Sequence, residues 1–146
     1  MEIAGEWLRW DDGVTRPIIE AKVLGAQGKL RNGPFLVDIG ADRTVFSASL
    51  WKALALEASG PLDTLDVKGI GGMSAIVLMH TLIQFTRRDG GPARVHGEFA
   101  AFTDPNATDI SILGRDVLNN FHVIVSRPRN EVLLLAERHR YQVVQD

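Results

Sequence analysis

Apolar residues in this chain come in short runs, and glycine, proline, asparagine or aspartate keeps cutting them off. Runs of that length suit strands and are too brief for most packed helices, so the pattern points to an all-β domain. Pro17 to Leu24 reads as a first strand. Gly25 to Gly33 reads as a turn, and Pro34-Phe35-Leu36-Val37 as a buried-type strand that stops at Asp38. Thr44-Val45-Phe46 favours a strand end, followed by a short helix with Ser47 as N-cap and Leu50, Trp51 and Leu54 on one face. Ser59-Gly60-Pro61 closes that unit. Leu65 to Val67 and Ala75 to Phe85 read as two arms of a hairpin, with Gly69-Ile70-Gly71-Gly72 at its tip. Arg87 to Pro92 is a turn, Val95 to Phe102 a strand, Asp104-Pro105-Asn106 a turn and Ser111 to Leu113 a short strand running into Gly114. Asp116 to Phe121 fits a brief helix, and His122 to Val125 and Glu131 to Leu135 fit strands around the Arg127-Pro128-Arg129-Asn130 turn.

Length and charge narrow the function. The 146 residues suit one domain, and a chain of this size buries about 68–70% of its unfolded surface, enough for a core without disulfides or metals. Sixteen basic and eighteen acidic residues leave a net charge of −2, with no surplus of cations to follow a phosphate backbone, so nucleic-acid binding is not expected. No cysteine is present, which removes thiolate metal sites and cysteine nucleophiles. The histidines His80, His96, His122 and His139 lack metal-ligand spacing, and His80 reads as a sheet residue; no cofactor and no metal is expected. Gly28-Lys29 lacks the rest of a phosphate loop, Ser74 stands where a dinucleotide loop needs its third glycine, and no Gly-x-Ser-x-Gly elbow occurs. Trp7 and Trp10 are expected to pack onto the body of the domain. The start Met-Glu-Ile-Ala-Gly-Glu has no basic, apolar signal segment, and no run approaches the ~20 apolar residues of a membrane span, so a cytoplasmic protein without membrane contact is expected.

Asp38-Ile39-Gly40-Ala41 carries the most chemistry. A carboxylate stands where an apolar strand ends, and the glycine two residues on lets the backbone turn so that the acid is presented at a cleft. Asp-x-Gly also occurs at Asp11-Asp12-Gly13 and Asp89-Gly90-Gly91, but only Asp38 follows an apolar strand.

Three segments in order extend that reading: Phe35-Leu36-Val37-Asp38-Ile39-Gly40-Ala41-Asp42-Arg43-Thr44, then Gly69-Ile70-Gly71-Gly72, then Ile112-Leu113-Gly114-Arg115-Asp116. Together they resemble the retropepsin-like aspartic proteases, over roughly Arg16 to Ala136. The resemblance implies an all-β, closed-barrel-like fold with a flap hairpin and one short helix, and a domain at 16–136 between an N-terminal arm (1–15) and a C-terminal tail (137–146). It implies an aspartic endopeptidase in which Asp38 is catalytic. Gly40, Ala41, Asp42 and Arg43 with the flap residues Gly69, Ile70, Gly71 and Gly72 would hold an extended peptide, and Ile39, Thr44, Gly114, Arg115 and Asp116 would support the site. Arg115 would pair with Asp42 and brace the Asp38 loop.

Carboxylate-driven peptide hydrolysis needs two acids in contact sharing one proton, as aspartic proteases are known to do. One qualifying aspartate per chain therefore implies a homodimer that contributes Asp38 twice. Ile39 departs from the family pattern, because a Thr or Ser hydroxyl there usually bonds across the dimer. The alternative is an inactive retropepsin-like dimerisation or peptide-binding module. Arg43 stands where many retroviral members have an acid, which implies tolerance of acidic side chains in the peptide.

Overall fold

The structure is a computed structural model; it describes residues 1–57, 65–69, 72–106, 109–136 and 144–145, with backbone only for 65–69 and 72–75. Its centre is a curled sheet built from β2 (Glu6–Arg9), β3 (Thr15–Leu24), β4 (Leu30–Val37), β5 (Val45–Phe46), β6 (Leu65–Gly69), β7 (Gly72–Thr86), β8 (Pro92–Phe102) and β9 (Ser111–Leu113). The order across it is β2-β3-β4-β9-β5-β8-β7-β6, and β7 also pairs back onto β3 through Lys22↔Gln84 and Val23↔Ile83. That return contact closes the sheet on itself and removes most of its free edge.

Alternation fills the barrel. Ile19, Ala21 and Val23 of β3, Phe35 and Val37 of β4 and Ile83 and Phe85 of β7 all face one core with Phe46, Met79, Phe99 and Leu113. The rings lock it: Phe35 meets Phe46 edge-on at 6.0 Å, and Phe46 lies 5.7 Å from Phe99. Helix α1 (Ala48–Leu54) covers one end; Ser47 Oγ accepts the Leu50 N–H at 3.2 Å, and Leu50 and Leu54 are buried, with Trp51 packed against the core. The expected cap and face are therefore found.

A second, three-stranded sheet, order β1-β11-β10, joins β1 (Glu2–Ala4), β10 (His122–Ser126) and β11 (Glu131–Leu135). Strands β1 and β2 lie in the N-terminal arm, where the sequence pattern predicts no strand. They form because distant partners supply the pairing: Ile3 lies opposite Leu134, and Trp7 opposite Pro17. Trp7 packs on the body as expected, its indole N–H shared between Ser126 O (3.2 Å) and Glu131 O (3.3 Å) with the Arg127 guanidinium 5.5 Å from its ring centre.

The hairpin read from the sequence is present. β6 and β7 pair from Leu65↔Ile76 to Gly69↔Gly72, while the tip residues Ile70 and Gly71, the Ser59-Gly60-Pro61 break and most of the 137–146 tail lie outside the described residues. The expected helix at Asp116 is one turn, α2 (Arg115–Leu118), and ends before Asn119 and Asn120. Among the described residues no helix is long and apolar enough to cross a membrane.

Candidate active site

Asp38 is placed by an unusual crossing of strands. β4 and β9 run parallel, in register Leu36↔Ile112 and Val37↔Leu113, and the Asp38 N–H continues the ladder to Leu113 O at 3.1 Å. The chain then loops over the end of β9 and returns on its other side as β5, where Val45 faces Ile112. Gly114 lies under this crossing. A Cβ on it would run into the carbonyl of Arg43 and stand 2.8 Å from Thr44 N, so only glycine lets the two backbones pass.

Inside the loop, Gly40 N–H bonds Asp38 Oδ1 at 2.9 Å and Ala41 N–H bonds Asp38 O at 3.2 Å. These make a tight turn that holds the carboxylate at its mouth. Among the described residues the Asp38 carboxylate has no other hydrogen-bond partner, which leaves Oδ2 open.

The segment after β9 holds the loop from behind. Arg115 N–H bonds Ala41 O at 2.9 Å, its Nη1 bonds Ile39 O at 2.8 Å and its Nη2 pairs with Asp42 Oδ1. The Asp42 side chain is 83% exposed, and an exposed ion pair alone contributes about 0–1 kcal/mol, so the bonds to backbone oxygens matter more than the charge pair. Asp116 Oδ1 accepts from Thr44 N (2.9 Å), Thr44 Oγ1 (2.7 Å) and Val117 N (2.9 Å), while Thr44 Oγ1 accepts from Gly114 N at 3.0 Å. Thr44 is fully buried and the Gly114 N–H bond to its hydroxyl is made out of water, so that bond costs most to lose, whereas Asp116 is exposed and its bonds are only part-buried.

Register also aligns a row that sequence reading missed. Leu36, Ile112, Val45, Ala100 and Leu78 lie side by side across β4, β9, β5, β8 and β7. Their neighbours Val37, Leu113, Phe46, Ala101 and Val77 face the main core, so the row faces the opposite side. Val45 and Ala100 are buried there with Ile76 and Phe102 in a separate apolar cluster, and Ala48, Leu78 and Ile112 stay partly open against it. The row begins two residues before Asp38 on β4 and ends on the hairpin arm. One signal was available: Phe35-Leu36-Val37 is apolar throughout, as a strand buried on both faces must be.

Thus Asp38, Ile39, Gly40, Ala41, Asp42, Arg43, Thr44, Gly114, Arg115 and Asp116 come together as one cluster. Gly69 and Gly72 face each other at the end of the hairpin. Ile39 is 65% exposed, its side chain standing out from a loop whose backbone Arg115 fixes. Elsewhere, His80 is an exposed sheet residue, 3.3 Å from Glu98, and among the described residues no group of three or more His, Cys, Asp or Glu is arranged to hold a metal.

An aspartate presented between two crossed strand ends on a closed, mostly β barrel defines a retropepsin-like fold. The solved structure of a retropepsin-like aspartic protease from Rickettsia conorii is similar, with a TM-score of 0.59 and 16% identity, covering 92% of this chain and 98% of that one. An EIAV protease complexed with an inhibitor also matches, with a TM-score of 0.48 and 19% identity over 77% of this chain and 92% of that one. No curated protein matches. A family model described as aspartyl protease matches residues 19–117, from within β3 into α2, and the chain belongs to that family.

Proposed function

We propose that the protein is an aspartic endopeptidase whose active form is a symmetric homodimer with an Asp38 carboxylate from each subunit at its centre. The observation that supports this most is the Asp38 loop, with one carboxylate oxygen turned to Gly40 N–H and the backbone clamped by Arg115 and Gly114. A fixed carboxylate costs little reorganisation during the reaction. Two such groups in contact share one proton. The ionised Asp38 takes a proton from water, the water oxygen adds to the peptide carbonyl carbon, and the protonated Asp38 gives its proton to the carbonyl oxygen. Collapse of the tetrahedral adduct breaks the C–N bond as a proton passes to the leaving nitrogen.

Residues 16–136 are the protease domain in this reading, with 1–15 as an arm and 137–146 as a tail. The extended peptide lies between the Asp38 loop, at Gly40 to Arg43, and the hairpin from Gly69 to Gly72. Its side chains rest on the partly open apolar row. Ile39 favours the second reading, a dimerisation or peptide-binding module, because it offers no hydroxyl to tie the two loops together. Cleavage of casein from roughly pH 4 to 8, comparing wild type with Asp38→Asn while sedimentation reports the dimer, separates the two. Cleavage lost only in Asp38→Asn is the expected result. A stable dimer that cleaves nothing in either form would turn the assignment to the binding module.

A further inference from the structure

We propose that the Ile39 side chains of two subunits pack against each other across the twofold axis, so that burial of an apolar pair, in place of a hydrogen bond, holds the two Asp38 loops together; this rests on the reading of Asp38 as one half of a shared pair. The exposed large hydrophobics among the described residues are Val14, Leu30, Ile39, Val125 and Val144, and of these Ile39 alone lies in the Asp38 loop. Its backbone is fixed on both sides. Gly40 N–H bonds Asp38 Oδ1, Ala41 N–H bonds Asp38 O, and Arg115 Nη1 holds the Ile39 carbonyl at 2.8 Å. The loop is thus locked with a branched aliphatic side chain standing in water beside the carboxylate.

The rest of the loop offers no polar grip to a second copy. Gly40 has no side chain, Asp42 is paired with Arg115, and Thr44 spends its hydroxyl on Asp116 and Gly114 within the subunit. Arg43 is exposed, but it carries a charge that its symmetry mate repels. A twofold axis that joins two Asp38 carboxylates passes between the two loops, and residue 39 follows only one Cα step, about 3.8 Å, along each chain. Across such an axis a patch meets a copy of itself. An aliphatic side chain is satisfied by its own copy, since the contact needs no donor matched to an acceptor and its strength follows the apolar area removed from water. Ile39 therefore suits the axis without a hydroxyl.

The chain contains no cysteine, so Ile39→Cys gives the protein a single thiol. A disulfide joins residues whose Cα atoms lie roughly 4.4–6.8 Å apart, and a short bismaleimide reaches somewhat further. With oxidised glutathione or the bismaleimide, Ile39→Cys is expected to give a covalent dimer on a denaturing gel. Val14→Cys and Leu30→Cys, whose parent side chains are also exposed, should stay single chains. Linking of Ile39→Cys no faster than Val14→Cys with either reagent overturns the proposal. Sedimentation equilibrium supplies the energetic arm. Ile39→Ala should raise the dimer dissociation constant roughly a hundredfold and Ile39→Val roughly fivefold, with the unfolding midpoint of the monomer unchanged because the side chain is exposed there. An unchanged dissociation constant in Ile39→Ala overturns the proposal as well. The two readings fail separately. A wild type that dimerises through residue 39 and cleaves no casein would remove the protease reading and keep the contact. Cleavage intact in an Ile39→Cys protein that neither reagent links would do the reverse.

Discussion

Asp38-Ile39-Gly40 and Asp89-Gly90-Gly91 fold into the same local turn and end in different situations. In each, the carboxylate accepts the N–H two residues on, at 2.9 Å. Around Asp89 the contacts that shape the turn are local, with Arg87 N–H to Gly91 O at 2.8 Å, Gly90 N–H to Arg87 O at 2.8 Å and Arg87 Nε to Asp89 at 3.1 Å. The neighbouring Arg88 reaches Glu2 of β1 through its N–H at 2.8 Å and its Nη1 at 3.1 Å. The turn closes the β7–β8 hairpin and pins its end to β1, and no remote residue bonds the Asp89 carboxylate among the described residues. Around Asp38 the further contacts come from Leu113 to Asp116, more than seventy residues away along the chain. A triplet of this kind sets a turn; a brace from remote sequence turns one such carboxylate into a fixed point that chemistry can use.

The comparison breaks most visibly at the carboxylates themselves. Asp38→Asn is expected to reduce peptide cleavage by a factor on the order of 10²–10⁴ with the melting temperature little changed, since general acid–base groups contribute about that much. Asp89→Asn should leave cleavage at the wild-type level. Equal activity in the two variants, in a fluorogenic peptide assay, would remove the distinction between the turns.

The glycines sharpen it at the level of stability. Gly114→Ala drives a methyl into the Arg43 carbonyl and should cost about 1–3 kcal/mol in urea unfolding, with cleavage falling as the loop shifts. Gly90 has open space around it but φ of +90°, so Gly90→Ala should cost about 1 kcal/mol through backbone strain alone and leave turnover untouched. A Gly114→Ala protein with wild-type kcat would show that the crossing tolerates more than its geometry suggests.

How much of this the sequence displays depends on how local each cause is. The bounds of α1, β9 and β11 lie within a residue or two of their expected ends because Ser47, Gly114 and Asn130 act on their immediate neighbours. By contrast, β4 starts at Leu30, inside the expected Gly25–Gly33 turn, because pairing with β3 as far as Leu24↔Leu30 extends it past Pro34. β1 and β2 are invisible by that logic: Glu2-Ile3-Ala4 and Glu6 to Arg9 are too short to be strands except opposite Leu133 to Leu135 and Thr15 to Ile18. The Asp38 cluster is legible from the order of its motifs, though Asp38 N–H to Leu113 O and the hydroxyl relay of Thr44 are not. The apolar row from Leu36 to Leu78 depends on the register of five strands, and no periodicity within one of them encodes it.

Thr44 is where the brace is most concentrated and comes next in expected effect. Thr44→Val keeps the shape and removes the hydroxyl, which leaves Gly114 N–H without its acceptor and Asp116 Oδ1 with one donor fewer. Loss of about 1–2 kcal/mol in urea unfolding is expected, with kcat lowered more than KM raised, and Thr44→Ser should restore both. The turn at Asp89 has no counterpart to Thr44, so Thr86→Val beside it should be silent. Loss of stability without any change in kcat would make Thr44 a fold residue only.

The segment with the third Asp-x-Gly, Asp11-Asp12-Gly13, sets the lower bound of the comparison through its middle residue, Asp12, whose carboxylate accepts the N–H two residues on. Asp12 is held by Arg16, whose guanidinium makes bonds of 2.7 and 3.1 Å to its two oxygens, and by Val14 N–H at 2.9 Å. The bonds to Arg16 first, and then the backbone N–H, lower the Asp12 pKa below its ordinary value. A carboxyl whose folded pKa is depressed adds stability above its unfolded pKa and loses that contribution as the pH falls through the folded value. Asp12→Asn should therefore flatten the acid limb of a melting-temperature profile slightly and change nothing at neutral cleavage. The effect is the smallest of the series because the pair is solvated and screened by salt. An acid limb that Asp12→Asn leaves unaltered at low ionic strength would mean that this ion pair, unlike the brace behind Asp38, holds nothing that folding requires.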